Sequence, residues 1–281
     1  MFSPVAPSAP SIDLGGVTLT ALLDAHGSFM SFRAAFPDAD GELEQASRDD
    51  YPDLFNGDQW VLPFRAFTIR TPEATVVVDA GVGPPPGEFL PERQGLLQAE
   101  LFAAGISAAD VGLVVLTHLH VDHIGWTAID GTPFFPRARY VTSAVDWRFF
   151  ANRFESRATF AAKLAPLEGA GAVELIESPP TQLLDGISVL PTPGHTPGHL
   201  SVRVTGADAT AVILGDVAVH PAQLREPTLG YAHDEDAAVA AATRQALLHQ
   251  LAGAVVAAGH FPGAIGRVLP DSERWLWRPL G

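Results

Sequence analysis

A chain of 281 residues with a formal net charge of −15 is long enough for one large domain or two small ones, and it carries the wrong sign for a nucleic-acid partner or an anionic membrane surface. It contains no cysteine, so disulfides, thiolate metal sites and cysteine nucleophiles are excluded, and any metal must rest on His, Asp or Glu. The 26 Gly and 24 Pro indicate many loops. The N-terminal residues lack the basic and apolar regions of a signal peptide, and no apolar run reaches the length of a membrane span, so a soluble cytoplasmic protein is expected.

Residues 1–12 are rich in Pro and Ser and read as a loose arm. Val17–Leu23 reads as a first strand. Residues 24–59 are polar and weakly periodic, the pattern of an irregular functional loop or lid. Their Phe29, Met30, Phe32, Phe36, Tyr51 and Phe55 cover a pocket or pack on the core, with packing the simpler expectation. Val61–Ile69 and Ala74–Val78 read as adjacent strands, the second ending in Asp79-Ala80-Gly81. Asp79 there is either a site-facing carboxylate or a turn-forming residue. Glu92–Ala104 has helical spacing, with Gly105 as its stop. Val111–Leu116 is a short run rich in β-branched residues and reads as a buried strand.

Directly after that strand comes Thr117-His118-Leu119-His120-Val121-Asp122-His123. If residues 118–120 stay extended, His118 and His120 share a side, because side chains alternate with period two. Asp122 and His123 then face the same space from the following turn. Such spacing is expected by chance in roughly one chain in a thousand of this composition, so a ligand-free histidine cluster is the weaker explanation.

The second half repeats the plan. Arg139–Thr142 reads as a strand, and Ala144–Phe154 and Ala158–Leu164 as helices whose Trp147, Phe149, Phe150, Phe154 and Phe160 suggest one wall of a cavity. Val173–Ile176 and Ile187–Leu190 are short strands, the latter leading into Pro191-Thr-Pro-Gly-His195-Thr-Pro-Gly-His199. Residues 200–204 and 210–214 form a strand pair ending in Gly215-Asp216. Asp236–Leu251 reads as a helix with acidic residues around its first turn, and Ala254–Ala258 as a last strand ending in Gly259-His260.

Strand ends and one loop thus deliver His118, His120, Asp122, His123, His195, Asp216 and His260. These seven exceed what one tetrahedral ion needs and suit two metal ions, with zinc the first choice. Asp216 is the natural bridge, being the only one of the candidate carboxylates far from the first motif.

With these residues in place, the chain resembles the metallo-β-lactamase superfamily. The resemblance runs in order from Val77-Val-Asp79-Ala-Gly81 through the HxHxDH motif at 118–123, the His195 loop and Gly215-Asp216 to Gly259-His260. It implies an α+β fold, a four-layer αββα sandwich in one domain over 1–281, with 24–59 and 144–165 covering the cavity. It implies one metal on His118, His120 and His195, a second on Asp122, His123 and His260, Asp216 between them, and Asp79 orienting a ligand histidine. The implied activity is hydrolysis of a small-molecule carbonyl or phosphoryl substrate, with Asp122 hydrogen-bonded to the attacking water. The implied assembly is a homodimer.

The size and the order of the second half look most like the lactonase and methyl-parathion-hydrolase branch, which points to a lactone or ester, with phosphotriesters or thioesters as alternatives. Lactonases of quorum signals carry a tyrosine three residues beyond the bridging aspartate; here that position is Val219. His220 is then either a donor to the leaving group or a structural histidine. His199 reads as structural, and His26, His233 and His249 as surface or packing residues. A mononuclear-iron, oxygen-dependent oxidoreductase is the competing class, and it leaves the second metal's ligands without a use.

Overall fold

The computed structural model describes residues 9–84, 93–272 and 274–280. Residues 1–8 of the expected arm and Glu92 at the start of an expected helix lie outside these.

The first half runs β1 (Ser11–Asp13), β2 (Thr18–Ser31), α1 (Phe32–Ala35), α2 (Gly41–Asp50), β3 (Phe55–Asn56), β4 (Gln59–Arg70), β5 (Thr75–Val78), α3 (Leu97–Ala103) and β6 (Leu113–Val115). It continues with α4 (Val121–Ile124), the hairpin β7 (Ala128–Ile129) and β8 (Thr132–Pro133), β9 (Arg139–Ser143), α5 (Ala144–Asn152), α6 (Arg157–Thr159), a π-helical turn at Phe160–Leu164, α7 (Ala165–Gly169) and β10 (Val173–Ile176). The second half holds β11 (Thr181–Leu184), β12 (Ile187–Pro191), β13 (Leu200–Thr205), β14 (Thr210–Ile213), α8 (Ala222–Arg225), α9 (Ala237–Gln250), β15 (Val255–Ala257), β16 (Ile265–Asp271) and β17 (Arg274–Pro279).

Two large sheets result. One has the order β1-β2-β4-β5-β6-β9-β10, with β3 on β4; the other runs β11 through β17 in sequence. Beyond an opening threonine in β5 and β14, the central strands are apolar at successive positions because both faces are covered. Val76 and Val78 of β5 and Leu113 and Val115 of β6 enter a core between the sheets, where they meet Ala211, Ile213, Val255 and Ala257 of β14 and β15. The alternate residues Val77 and Val114 face outward onto Leu97, Leu101, Trp126 and Trp147. Val212 and Val256 do the same beneath Leu247 and Leu248 of α9 and Leu251 just past its end. Helix, sheet, sheet and helix therefore form four layers, each fully buried Val, Leu or Ile contributing about 1.5–3 kcal/mol.

The strand periods expected for β4, β5, β9, β10, β12 and β15 are found within a residue or two. Residues 24–59 differ from expectation. They are not irregular: β2 continues to Ser31 across shifts at Leu23/Ala25 and Ser28/Ser31, and α1, α2 and a 3₁₀ turn at Pro52–Leu54 follow. Those shifts break the period-two pattern that would have marked the strand. Likewise Ser11 and Ile12 are paired with β2 and are no part of a loose arm. β11, β16 and β17 carry no reading in the sequence. Among the described residues, no helix is long and apolar enough to cross a membrane.

β5 and β6 run parallel, as do β14 and β15, so their C-terminal ends emerge along one edge of the sandwich. The Leu200 N–H donates to the Thr117 carbonyl at 2.8 Å, joining the two halves there.

Candidate metal centre

The edge gathers all seven expected ligands. His118 follows β6 just past a bend at Thr117; His120, in extended backbone, takes the N-cap position of α4, whose single turn carries Asp122 and His123. His195 stands on the loop after β12, Asp216 after β14 and His260 after β15. Three groups of ligand atoms lie within 4.8 Å of one another: His118/His120/His195, His118/His123/Asp216 and Asp122/His123/His260.

Asp216 stands between the outer two groups. Its Oδ2 lies 3.4 Å from His195 Nε2 and 3.9 Å from His118 Nε2, and its Oδ1 lies 3.4 Å from both His123 Nε2 and His260 Nε2. Asp122 Oδ2 is 3.5 Å from His123 Nε2 and 3.6 Å from His260 Nε2. The Nε2 atoms of His118 and His123 and Asp216 Oδ1 are buried with no hydrogen-bond partner among the described residues. Buried polar atoms are almost always satisfied, so three orphans converging on one space fit a cation or pair of cations.

Electrostatics divide the ligand histidines. Burial, with the neighbouring histidines, holds His118 and His120 well below the usual imidazole range, in the neutral form a ligand needs. Burial pushes His123 and His260 down as well, but the carboxylates of Asp216 and Asp122 outweigh it and hold both above their ordinary value. Burial would raise Asp216, yet His260 and His123 keep it well below the carboxylate range.

A second ring of contacts orients these side chains. Asp79 sits at φ 61°, a left-handed conformation that Asp tolerates better than most residues. Its Oδ1 accepts the Thr117 N–H at 2.8 Å and its Oδ2 faces His123 Nδ1 at 2.9 Å. Thr117 donates its hydroxyl to Asp79 and accepts from His118 Nδ1 at 3.1 Å. His260 Nδ1 donates to the Pro63 carbonyl at 2.7 Å, and Arg65 holds the Gly259 and Phe261 carbonyls at 2.8 Å each. His195 Nδ1 lies 3.0 Å from Asp234 Oδ1. In each of these four histidines the bonded Nδ1 leaves Nε2 for the centre. His199 is buried, as a structural role requires. Held neutral by burial, at about 3, it accepts the Asp216 N–H at 2.9 Å. Gly215, at φ +58°, has no room for a Cβ, which would stand 2.5 Å from the His199 ring.

The centre opens into a cavity of about 460 Å³, within the range of small-molecule sites. Phe29, Leu62, Phe64, Leu119 and Phe150 give it apolar walls, and Asp122, Tyr231 and His233 add polar groups. His233, expected at the surface or in packing, is therefore a wall residue. Of the aromatics in 144–165 only Phe150 lines the cavity: Trp147 packs on Phe160 at 4.9 Å, and Phe154 is 76% exposed.

His220 is a correction. It does not line the cavity. Its fully buried ring sits among Phe32, Phe36, Tyr51, Phe55 and Trp60 at centroid distances of 5.2–6.3 Å, and its Nδ1 accepts the Ala222 N–H at 3.0 Å. Burial drops it to about 3. A neutral imidazole inside an aromatic box reaches no leaving group.

Sequence reasoning missed three other carboxylates. Asp24 accepts the Val82 and Leu97 N–H groups at 2.6 and 2.7 Å and Trp126 Nε1 at 3.1 Å. Asp146 holds Thr196 Oγ1 and the Gly198 N–H, both at 2.6 Å, and so fixes the His195 loop. Asp234 is the third. The partners of Asp146 and Asp24 lie 52, 73 and even 102 residues away along the chain, and His195 lies 39 residues from Asp234, so no local pattern marks these roles.

Residues 65–260, more than half of the chain, match the family model for the Metallo-beta-lactamase superfamily. The chain belongs to that superfamily. It is 28% identical over 194 residues to the "Probable metallo-hydrolase YflN" of Bacillus subtilis, a match covering 59% of this chain and 69% of that one. It is 31% identical over 176 residues to the "Metallo-beta-lactamase domain-containing protein 1" of Xenopus laevis, covering 62% of this chain and 60% of that one. Among solved structures, "hydrolase AbOPH in beta lactamase superfamily" superposes with a TM-score of 0.86 at 23% identity, over 98% of both chains. "AidC, a Dizinc Quorum-Quenching Lactonase" gives 0.84 at 22%, also over 98% of both. At these identities the structures bear out the αββα fold alone.

Proposed function

We propose that the chain is a metal-dependent hydrolase acting on a small lactone or ester through a two-metal centre. The observation that carries this reading is Asp216 between two ligand triads, one carboxylate oxygen toward each. His118, His120 and His195 would hold one divalent ion and Asp122, His123 and His260 the other, with zinc the first choice for an all-His/Asp set. Such ions, when bound, supply Lewis acidity and a water acidic enough to ionise near neutral pH.

The chain's own residues do the rest. Asp122, on the cavity wall, accepts a hydrogen bond from the attacking water and orients it toward the substrate carbonyl. Phe29, Leu62, Phe64 and Phe150 take the apolar part of the substrate and exclude bulk water, which strengthens every polar contact inside. Segments 24–59 and 144–165 cover the cavity through Phe29 and through Phe150 and Thr159. Tyr231, buried beside Asp216, Asp122 and Asp234, is held above the usual phenol range by burial and by those carboxylates, and so keeps its proton for donation to a substrate oxygen.

The test is a panel of lactones of graded acyl length, aryl esters, thioesters and phosphotriesters on zinc-loaded protein. Turnover concentrated in lactones or esters is expected. Turnover confined to phosphotriesters or thioesters, or oxygen-dependent turnover with iron, would contradict the reading.

A further inference from the structure

We propose that Asp234 is the positioning residue of His195 and holds the His118/His120/His195 site selectively, an inference that rests on the two-metal reading above. Asp234 Oδ1 lies 3.0 Å from His195 Nδ1, while His195 Nε2 points the other way, to within 3.4 Å of Asp216 Oδ2. A carboxylate on Nδ1 keeps the proton there, leaves the Nε2 lone pair for a metal and makes it more basic.

Asp234 is itself fixed. Its side chain is 1% exposed, and its Oδ2 accepts the Tyr231 N–H at 3.0 Å. The buried Arg244 guanidinium of α9 stands 3.9 Å from the same oxygen. That guanidinium is anchored by Nε on the Val217 carbonyl at 2.7 Å and by Nη1 on the Pro227 and Leu229 carbonyls at 2.8 Å each. The Glu235 N–H donates to the His195 carbonyl at 3.1 Å and the Asp236 N–H to the Gly194 carbonyl at 3.0 Å, so the chain directly after Asp234 is tied to the segment bearing His195 by two backbone bonds. Tyr231 stacks on the His195 ring at 6.0 Å and 19°. Ring plane, tautomer and depth of His195 are thus all set by residues 231–236.

Three of the other four ligand histidines draw on different anchors, while His120 Nδ1 faces His195 Nε2 itself at 3.0 Å within the same triad. Asp79 serves His123 directly and His118 through Thr117, and the Pro63 carbonyl serves His260. Asp234 therefore acts on one triad only, and removing it leaves every contact of the Asp122/His123/His260 group in place.

Chelator-stripped wild type, Asp234→Asn and Asp234→Ala are titrated with zinc against a competing chelator and with cobalt(II) by absorption spectroscopy, and the thermal midpoint of each metal-free protein is recorded. Asn keeps a hydrogen-bond acceptor without the charge and covers the case in which Ala fails to fold. The expected result is two equivalents in wild type and, in the variants, a loss of roughly 10–100-fold in affinity at one equivalent, larger for Ala than for Asn, with the other unchanged. The altered equivalent should show a changed cobalt spectrum. Wild-type affinity at both equivalents in both variants would overturn the proposal. So would equal weakening of both equivalents together with a lowered metal-free midpoint, which would reduce Asp234 to loop packing. A wild type that binds fewer than two equivalents would overturn the two-metal reading itself, and the selectivity with it.

Discussion

Replacing His220 separates a packing role from a chemical one. Its ring fills a box of five aromatic side chains and its Nδ1 accepts the buried Ala222 N–H. His220→Ala empties a ring-sized space, which in aromatic-to-alanine changes costs about 3–5 kcal/mol. The unpaired Ala222 N–H adds about 1–3 kcal/mol. For a domain of this size each kcal/mol lowers the midpoint by about 2–4 °C, so a fall of roughly 10–30 °C is expected. His220→Phe refills the box and loses the acceptor, at about 1–3 kcal/mol, partly offset because it also removes the buried Nε2, which has no hydrogen-bond partner among the described residues. Denaturant unfolding measures both changes, and hydrolysis by the metal-loaded variants at low temperature measures the chemistry. Stability should fall in the order wild type, Phe, Ala, with kcat unchanged in Phe. A His220→Phe enzyme that stays stable but loses kcat would refute the packing role and restore a direct part in the reaction.

Asp146 predicts a pH effect. Burial raises its carboxyl to about 6 against an unfolded value of 3.8, outweighing the hydrogen bonds from Thr196 and Gly198. A carboxyl raised on folding stabilises most below the unfolded value, and that contribution is lost as pH rises through the folded one. Wild type minus Asp146→Asn unfolding free energy should therefore shrink by about 2 kcal/mol between pH 4 and pH 7; a flat difference in denaturant titrations would contradict this. Tyr231→Phe keeps the ring on His195 and removes the hydroxyl, so kcat/KM should fall about tenfold with metal content unchanged. Unaltered kinetics would remove the phenol from the substrate-contact set.

The half of the site built on strand ends was legible because two simple periods coincide there. Val111–Leu116 announces a buried strand, and the spacing of His118, His120, Asp122 and His123 only makes sense at its end. Asp216 and His260 follow β14 and β15 in the same way. What the sequence hid is of another kind. The anchors of the ligands are a carboxylate on a distant loop, a backbone carbonyl at Pro63 and a half-buried arginine at 65, and none belongs to a periodic pattern. His220 misled because position along the chain, one residue past Val219, says nothing of the direction a side chain takes; the chain turns there and sends the ring into the aromatic box. The irregular look of 24–59 had a similar origin. The bulges of β2 reset its alternation, and the donors gathered by Asp24 at the first shift come from Val82, Leu97 and Trp126, far along the chain.

The central claim is that Asp216 joins two ligand triads into one hydrolytic centre. Its most direct test is a metal titration of the stripped protein, with hydrolysis followed at each addition, in wild type and Asp216→Ala. Activity rising until two equivalents are bound, and the joint loss of bound metal and turnover in Asp216→Ala, is the predicted result. Full activity in Asp216→Ala, or maximal turnover with a single equivalent of iron and a requirement for oxygen, would contradict it.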